Sequence, residues 1–255
     1  MGEYDRQLKR RDFTASVTGV SSVSEWARAE LGFAADERQA ELLDSGTRRL
    51  LLCCARQWGK STVTAIRVAH HVLFQPGAMV VVAGPAKRQS GEFLAKVAGF
   101  MGRLGIRWKS DGLNKYSMVL ENGSRLVAVP GRAAFIRGFS AVTFLVIDEA
   151  SKAEDSLYAA LTPMLATTDG MLWLMGTPSG QAGFFYREWV RGGAHWKRMS
   201  VPATECGRIG AEFLARERVS MGEDLFRQEY LCEFLAGPGQ MFTAEMFDAC
   251  VEAGL

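Results

Sequence analysis

Short apolar runs alternate with longer segments of helical periodicity before Gly180. The apolar runs span residues 50–54, 78–83, 144–147 and 171–175, and each is typical of a parallel strand buried on both faces. Strands that alternate with helices predict a mostly parallel central sheet with helices on both sides. Because such sheets bind ligands at the carboxyl ends of their strands, we expect the functional residues immediately after these runs.

Helical spacing and end signals define the segments between the strands. We expect helices over residues 24–31, from Asp36 to about Asp44, over Lys60–Phe74 and over residues 86–104, with Ser24 as the N-cap of the first. Asn122-Gly123 separates two strand-like segments, residues 116–121 and 124–129. This arrangement predicts a tight β-hairpin turn.

The pattern changes after Gly180. Residues 195–201 predict one more strand, and Ala211–Met221 and Glu223–Leu231 predict two helices. We therefore expect an N-terminal arm and short helix at residues 1–30, an α/β core at residues 31–180 and a small C-terminal helical lid subdomain at residues 181–236.

Composition narrows the class of protein only slightly. The chain has 255 residues and a net charge of +2, so bulk charge alone does not indicate a nucleic-acid-binding protein. None of the five cysteines forms a C-x-x-C pair, which favours a reducing compartment over a disulfide scaffold or a zinc site. We find no signal peptide and no apolar stretch long enough to span a bilayer, so we expect a soluble intracellular protein without membrane contact.

The segment after the first core strand carries a phosphate-binding motif. Residues 54–61 fit G-x-x-x-x-G-K-[ST] at every fixed position except the first, where Cys54 replaces glycine. Backbone N–H groups of such a loop point at phosphates, Lys60 would reach the β- and γ-phosphates of ATP, and Ser61 would bind Mg²⁺. The predicted nucleotide-binding residues of this loop are Cys54, Ala55, Arg56, Gln57, Trp58, Gly59, Lys60, Ser61 and Thr62. The alternative is a chance Gly-Lys-Ser at the start of a helix.

Two carboxylates follow the third core strand. Asp148 and Glu149 come directly after residues 144–147, where a nucleoside triphosphatase needs acidic side chains. Asp148 would hold Mg²⁺, and Glu149 would orient and deprotonate the attacking water. The alternative is a strand that becomes acidic where it meets solvent. Two motifs at matching strand ends favour the catalytic interpretation.

Together, residues 56–61, Asp148-Glu149 and Gly176-Thr177-Pro178 resemble the large terminase subunit of tailed bacteriophages, the ATPase that pumps DNA into viral procapsids. The resemblance extends from about residue 36 to residue 242. It implies a P-loop NTPase fold of the additional-strand, catalytic-glutamate type. The activity that it implies is ATP hydrolysis coupled to DNA translocation.

The same resemblance assigns further residues. Gln39 would match the glutamine that recognises adenine, and Thr177 would match the coupling residue that senses the γ-phosphate. Arg137 would match the arginine that completes a neighbouring subunit's active site. Arg56, inside the loop, is the alternative source of transition-state charge and would act within its own subunit. Each of these residues also has a plain structural alternative, such as a solvated side chain or a strand-ending turn.

The resemblance also implies partners and a location. The implied partners are double-stranded DNA, a portal protein and a small terminase subunit. The chain would form a homo-oligomeric ring during packaging in the host cell cytoplasm. Whether it is a monomer in isolation is left open. Large terminase subunits carry a C-terminal nuclease domain, and residues 237–255 resemble the start of the linker to it. We therefore expect no nuclease activity from this chain.

A basic segment suggests where DNA would bind. Between Lys87 and Lys115 basic residues outnumber acidic ones, and Lys96, Arg103, Arg107 and Lys109 are the predicted DNA contacts. A motor must move along any sequence, so these contacts would go to phosphates rather than base edges. A solvated helix face is the alternative.

Two other functions fit part of the sequence. Residues 148–151 resemble the acidic box of superfamily 2 helicases, but too few residues follow Gly180 for the second RecA-like domain that such helicases need. A nucleotide-binding switch with little turnover is the second alternative, and Glu149 argues against it.

Overall fold

The computed structural model describes residues 22–113, 116–129, 131 and 138–236. The strands found there are β1 (Arg49–Cys54), β2 (Met79–Ala83), β3 (Trp108–Lys109), β4 (Ser117–Leu120), β5 (Arg125–Val129), β6 (Phe144–Asp148), β7 (Met171–Gly176) and β8 (Lys197–Val201). The helices found there are α1 (Val23–Leu31), α2 (Glu37–Asp44), α3 (Lys60–Phe74), α4 (Lys87–Arg103), α5 (Asp155–Leu161), α6 (Gly183–Arg191), α7 (Ala211–Met221) and α8 (Glu223–Leu231).

The described strands form one sheet in the order β3-β4-β5-β2-β6-β7-β1-β8. Strands β5, β2, β6, β7, β1 and β8 run parallel, and β4 and β3 continue the sheet in antiparallel fashion. Strand β7 lies between β1, which precedes the phosphate-binding motif, and β6, which ends in the acidic pair. This intervening strand fits the additional-strand type that the resemblance implies, and the mostly parallel sheet with flanking helices is confirmed.

Apolar side chains cover both faces of the sheet. On one face Leu50 and Leu52 of β1 pack in a core with the apolar sides of α1 to α4. On the other face Leu51 and Cys53 pack in a core with side chains from α5, α6, α7 and α8. Because neighbouring residues of one strand point to opposite faces, a strand buried on both sides must be apolar throughout. This explains the continuous apolar runs in the sequence.

The start of α1 differs from the prediction. Ser22, not Ser24, is the N-cap, because its Oγ accepts a hydrogen bond from the N–H of Glu25 at 3.2 Å. Ser24 instead donates from its Oγ to Asp44 Oδ2 at 2.6 Å and so ties α1 to the end of α2. The predicted N-cap was therefore wrong by two positions.

Other boundaries agree closely with the sequence. Helices α3, α7 and α8 have the predicted bounds, and α2 begins after Asp36, whose side chain accepts from the N–H of Gln39 at 2.8 Å. The predicted hairpin is present as β4 and β5, with Gly123 at a φ of 82° in its turn.

The sequence did not predict α5, α6 or β3. Strand β8 lies within the range assigned to the lid, but it pairs with β1 and is part of the central sheet. The lid subdomain is therefore a prediction that concerns chiefly α7 and α8. Among the described residues, no helix is both long and apolar enough to cross a membrane.

Candidate active site

The phosphate-binding motif lies where β1 ends and α3 begins. Two residues of the intervening loop have left-handed backbone angles, Gln57 with a φ of 64° and Gly59 with a φ of 101°. The carbonyl of Gly59 accepts hydrogen bonds from the N–H groups of Thr62 and Val63, at 2.9 and 3.0 Å, and this starts α3. The loop therefore turns sharply into a helix N-terminus, the arrangement that binds phosphate groups.

Cys54 takes the position of the usual first glycine without opening the loop. It is the last residue of β1, it is fully buried, and its side chain belongs to the core shared with α3. Burial raises the pKa of its thiol. The side chain thus packs as a small apolar group, and only its backbone faces the loop.

Lys60 and Glu149 join the two motifs. Lys60 Nζ lies 2.6 Å from Glu149 Oε1, and the two side chains are 14% and 19% exposed. Burial acts to lower the pKa of Lys60, but Cys54, Asp148 and Glu149 raise it by a larger amount, so the ammonium stays charged. Glu149 has a φ of 54°, a left-handed conformation that is strained for a residue with a side chain. The turn after β6 holds this strained residue beside Lys60.

Asp148 is oriented by two hydrogen bonds. Ser61 Oγ donates to Asp148 Oδ2 at 2.9 Å, and the N–H of Glu149 donates to Oδ1 at 2.9 Å. Burial raises the pKa of Asp148, while Lys60 acts in the opposite direction. No group of three or more His, Cys, Asp or Glu that could hold a metal occurs in the described residues. A hydroxyl and one carboxylate instead suit Mg²⁺, which takes few protein ligands and completes its shell with phosphate oxygens and water.

Thr177 connects the end of β7 to the end of β1. Its Oγ1 donates to the carbonyl of Cys54 at 2.9 Å, and its own carbonyl accepts from Ser151 Oγ at 2.5 Å. Gly176 leaves room beside it, since a Cβ there would lie in a tight contact, 3.0 Å from Ser151 Oγ. The predicted coupling residue therefore contacts the backbone where the phosphate-binding loop begins.

Gln39 reaches the loop, but its amide is occupied by protein groups. Its Oε1 accepts from the N–H of Asp36 at 3.2 Å, and its Nε2 donates to the carbonyl of Trp58 at 3.1 Å. The residue is only 3% exposed. Recognition of adenine by Gln39 stays a prediction, and its side chain contacts Asp36 and the loop.

The two arginines proposed for transition-state charge have different positions. Arg56 Nε lies 2.8 Å from Glu229 Oε2, and the Arg56 N–H donates to the Glu229 carbonyl at 3.4 Å. The Arg56 guanidinium thus pairs with a residue of α8. Arg56 itself lies in the phosphate-binding loop that precedes Lys60. Arg137 lies outside the described residues.

Two of the predicted DNA-contacting residues, Arg107 and Lys109, lie at β3, the edge strand at the far end of the sheet from β1. Lys96 and Arg103 are exposed on α4, and Arg107 and Lys109 are exposed at β3, where Trp108 is 40% exposed between them. Lys96 and Arg103 are two helical turns apart and therefore share one face of α4. These four exposed residues are together named here the α4–β3 surface.

Three residues at the site were not predicted from the sequence. Ser151 contacts Thr177, Glu229 contacts Arg56, and Arg208 donates to the carbonyl of Trp58 at 2.6 Å. Arg208 and Glu229 lie far along the chain from the loop, and no local pattern distinguishes them from other surface charges.

Comparisons with known sequences agree with one another. The sequence model of the family described as "Terminase large subunit, T4likevirus-type, N-terminal" matches residues 51–249. The large terminase subunit of Thermus phage G20c is 21% identical over 249 residues, which cover 84% of this chain and 51% of that protein. The chain spans about half the length of the curated relatives it matches.

Solved structures share the fold. The ATPase domain of the large terminase of Thermus phage P74-26 aligns with a TM-score of 0.74 and 20% identity, over 85% of this chain and all of that one. A large terminase from a second thermophilic bacteriophage, in complex with ADP, aligns with a TM-score of 0.67 and 13% identity, over 78% of this chain and 53% of that one. At these identities the likeness concerns the fold.

Proposed function

The chain belongs to the family of terminase large subunits, and from this membership we propose that it is the ATPase motor domain of a phage DNA-packaging enzyme. Its reaction would be hydrolysis of ATP, coupled to translocation of double-stranded DNA into a procapsid. The single observation that carries this proposal is the 2.6 Å contact between Lys60 and Glu149. This contact places the candidate phosphate-binding lysine next to the candidate catalytic base.

The contacts suggest how the site works. ATP would bind with its phosphates against the loop, where Lys60 exchanges its contact with Glu149 for the β- and γ-phosphate oxygens. Glu149 would then be free to accept a proton from the attacking water. Ser61 and Asp148 would hold Mg²⁺, which supplies positive charge to the phosphate oxygens when bound. Support for a nucleotide in such a fold comes from the second thermophilic phage terminase, whose structure contains ADP.

The partners and assembly are part of the same proposal. DNA phosphates would contact the α4–β3 surface, and a portal protein and small terminase subunit would join a homo-oligomeric ring in the host cell cytoplasm. Residues 31–180 would be the ATPase core, with α7 and α8 as a lid over the site. Thr177 would link the γ-phosphate to the rest of the motor through its contact with the Cys54 carbonyl.

The test of the activity is phosphate release from ATP, measured with and without DNA over a range of protein concentrations. We expect Lys60→Ala to lose hydrolysis, because the ammonium can no longer contact the phosphates. A rate that rises steeply with protein concentration would support a site shared between subunits. Wild-type protein without measurable phosphate release under every condition would contradict the proposal.

The source of the arginine can be tested by mixing subunits. We expect Arg137→Ala to be inactive alone and to regain activity when mixed with Glu149→Gln, because the second variant can lend its arginine to an intact neighbouring site. If an assembled mixture stays inactive and Arg56→Ala is also inactive, Arg56 of the same subunit supplies the charge.

A further inference from the structure

One carbonyl in the phosphate-binding loop accepts two side-chain hydrogen bonds. Gln39 Nε2 donates to the carbonyl oxygen of Trp58 at 3.1 Å, and Arg208 Nη2 donates to the same oxygen at 2.6 Å. Arg208 lies in the loop before α7, far from Trp58 in the chain. The contact therefore joins the C-terminal third of the molecule to the tip of the phosphate-binding loop.

The two donors are also held to each other. Arg208 Nη1 lies 3.1 Å from Asp36 Oδ2, and Asp36 Oδ1 accepts from the N–H of Gln39 at 2.8 Å. Gln39 returns the bond by accepting the N–H of Asp36 on its Oε1 at 3.2 Å. Asp36, Gln39, Arg208 and the Trp58 carbonyl thus form a closed network, named here the carbonyl clamp.

The clamp fixes the direction of a neighbouring N–H group. The peptide that joins Trp58 to Gly59 is planar and trans, so its carbonyl and its N–H point in opposite directions. With the carbonyl held toward Gln39 and Arg208, the N–H of Gly59 is held in the opposite direction, where it can donate to a phosphate oxygen. The orientation of one carbonyl therefore sets the orientation of one phosphate-binding donor.

Gly59 makes this constraint necessary. Its φ of 101° requires glycine, but glycine adopts positive and negative φ almost equally well. The same freedom would let the Trp58–Gly59 peptide rotate and turn its N–H away from the phosphates. A Cβ at Gly59 would also lie 3.3 Å from Gln39 Nε2, so the clamp packs closely against this residue. An external contact must select the productive orientation.

We propose that Arg208 is a positioning residue for nucleotide binding, which acts by holding the Trp58 carbonyl and thereby the Gly59 N–H. This inference rests on the proposed ATPase function. It also gives Gln39 a role toward the loop, through the hydrogen bond from its Nε2 to the Trp58 carbonyl. Arg208 touches the loop and not the reacting atoms, so it should affect nucleotide affinity more than the chemical step.

Arg38 provides a matched control. It is an arginine close to the clamp that pairs with Glu41 and Glu205 and donates to the carbonyl of Ser200. None of these contacts involves the loop. Arg208→Gln and Arg38→Gln therefore remove the same charge from the same region, but only the first removes a loop contact.

The experiment measures binding of ADP and of inorganic pyrophosphate by calorimetry, with KM and kcat for ATP. We expect Arg208→Gln to weaken the binding of ADP and of pyrophosphate by the same factor. That factor should be about tenfold, the effect on affinity of losing one charged hydrogen bond. The KM for ATP should rise similarly while kcat changes little. Arg208→Lys should recover part of the affinity, and Arg38→Gln should behave as wild type.

Several outcomes would overturn the inference. Loss of ADP affinity without loss of pyrophosphate affinity would mean that Arg208 contacts the base. Equal losses in Arg208→Gln and Arg38→Gln, or a lower Tm that accounts for the lost binding, would mean a general structural role. The Lys60→Ala variant distinguishes a wrong role for Arg208 from a wrong proposed function. If Lys60→Ala loses hydrolysis and Arg208→Gln keeps its ADP affinity, only the role of Arg208 is wrong; if Lys60→Ala hydrolyses ATP at the wild-type rate, the proposed function is wrong.

Discussion

Two charged regions of this molecule are organised in opposite ways. At the carboxyl ends of β1, β6 and β7, Lys60, Asp148 and Glu149 are mostly buried, and each contacts a protein group. On the α4–β3 surface, Lys96, Arg107 and Lys109 are exposed, and within the described part of the chain no ion pair involves them.

The difference has a physical consequence. A ligand at the first region must replace existing contacts in a poorly solvated site, so single atoms matter there. A ligand at the second region meets solvated charges that salt screens and whose contributions add. The first region is suited to chemistry on one small molecule, and the second is suited to a long anionic polymer of any sequence.

Glu149→Gln tests the first region most directly. The amide keeps the shape of the side chain but cannot accept a proton, so we expect hydrolysis to slow by ~10²–10⁴-fold while ADP binding is retained. Phosphate release at saturating ATP is the measurement. Glu154→Gln, at an exposed position shortly after it, is the matched control. Unchanged turnover in Glu149→Gln would remove Glu149 from the chemistry.

Ser61→Ala tests whether the first region holds a metal ion. Loss of the hydroxyl should raise the Mg²⁺ concentration needed for half-maximal hydrolysis by roughly 10–100-fold, the usual cost of disturbing a metal site. Ser61→Thr keeps the hydroxyl and should stay close to wild type. An identical Mg²⁺ dependence in Ser61→Ala would mean that Ser61 serves only to orient Asp148.

Gly176→Ala tests how tightly the first region is packed. The new Cβ would lie 3.0 Å from Ser151 Oγ and 3.2 Å from its backbone N, so we expect a loss of about 1–3 kcal/mol in the free energy of unfolding. Gly99→Ala is the control on α4, beside the second region, where a Cβ meets no atom within 4 Å. It should be neutral or stabilise by up to about 1 kcal/mol. Denaturant unfolding measures the stability of both variants. Equal effects would mean that the two positions do not differ in how tightly they are packed.

Single substitutions on the α4–β3 surface should have the smallest effects. Each change of Lys96, Arg103, Arg107 or Lys109 to alanine removes one phosphate contact, so the slope of log affinity for DNA against log salt should fall by about one. Lys152→Ala is an exposed control elsewhere. If none of the four substitutions alters the salt slope, the DNA binds to another surface.

The two regions also differ in how far the sequence predicts them. The positions of Lys60, Ser61, Asp148 and Glu149 follow from local patterns, because a strand buried on both faces is continuously apolar and its end is easy to find. Helix α3 has its predicted bounds for the same reason, since a glycine starts it and Pro76-Gly77 follows it closely.

Long-range contacts escape such patterns. Arg208 and Glu229 look like ordinary surface charges until folding places them against the phosphate-binding loop. The sequence predicts strand β8 within residues 195–201, but not that it pairs with β1 in the central sheet. Helix α6 begins at Gly183, a poor helix former with a φ of 78°, and has no side-chain cap to announce it. Tertiary packing decides these elements, and one sequence does not display it.

The buried thiol of Cys54 gives the molecule an internal chemical reporter. A thiolate attacks an alkylating reagent, and here the thiolate is scarce because burial raises the pKa of the thiol. Burial also excludes the reagent. The other cysteines of the described residues, Cys53, Cys206 and Cys232, are buried as well. Modification of Cys54 therefore requires a local opening that exposes its side chain, so its labelling rate reports how often the core at the nucleotide edge opens. Nucleotides that close this edge would protect the thiol in proportion to their occupancy.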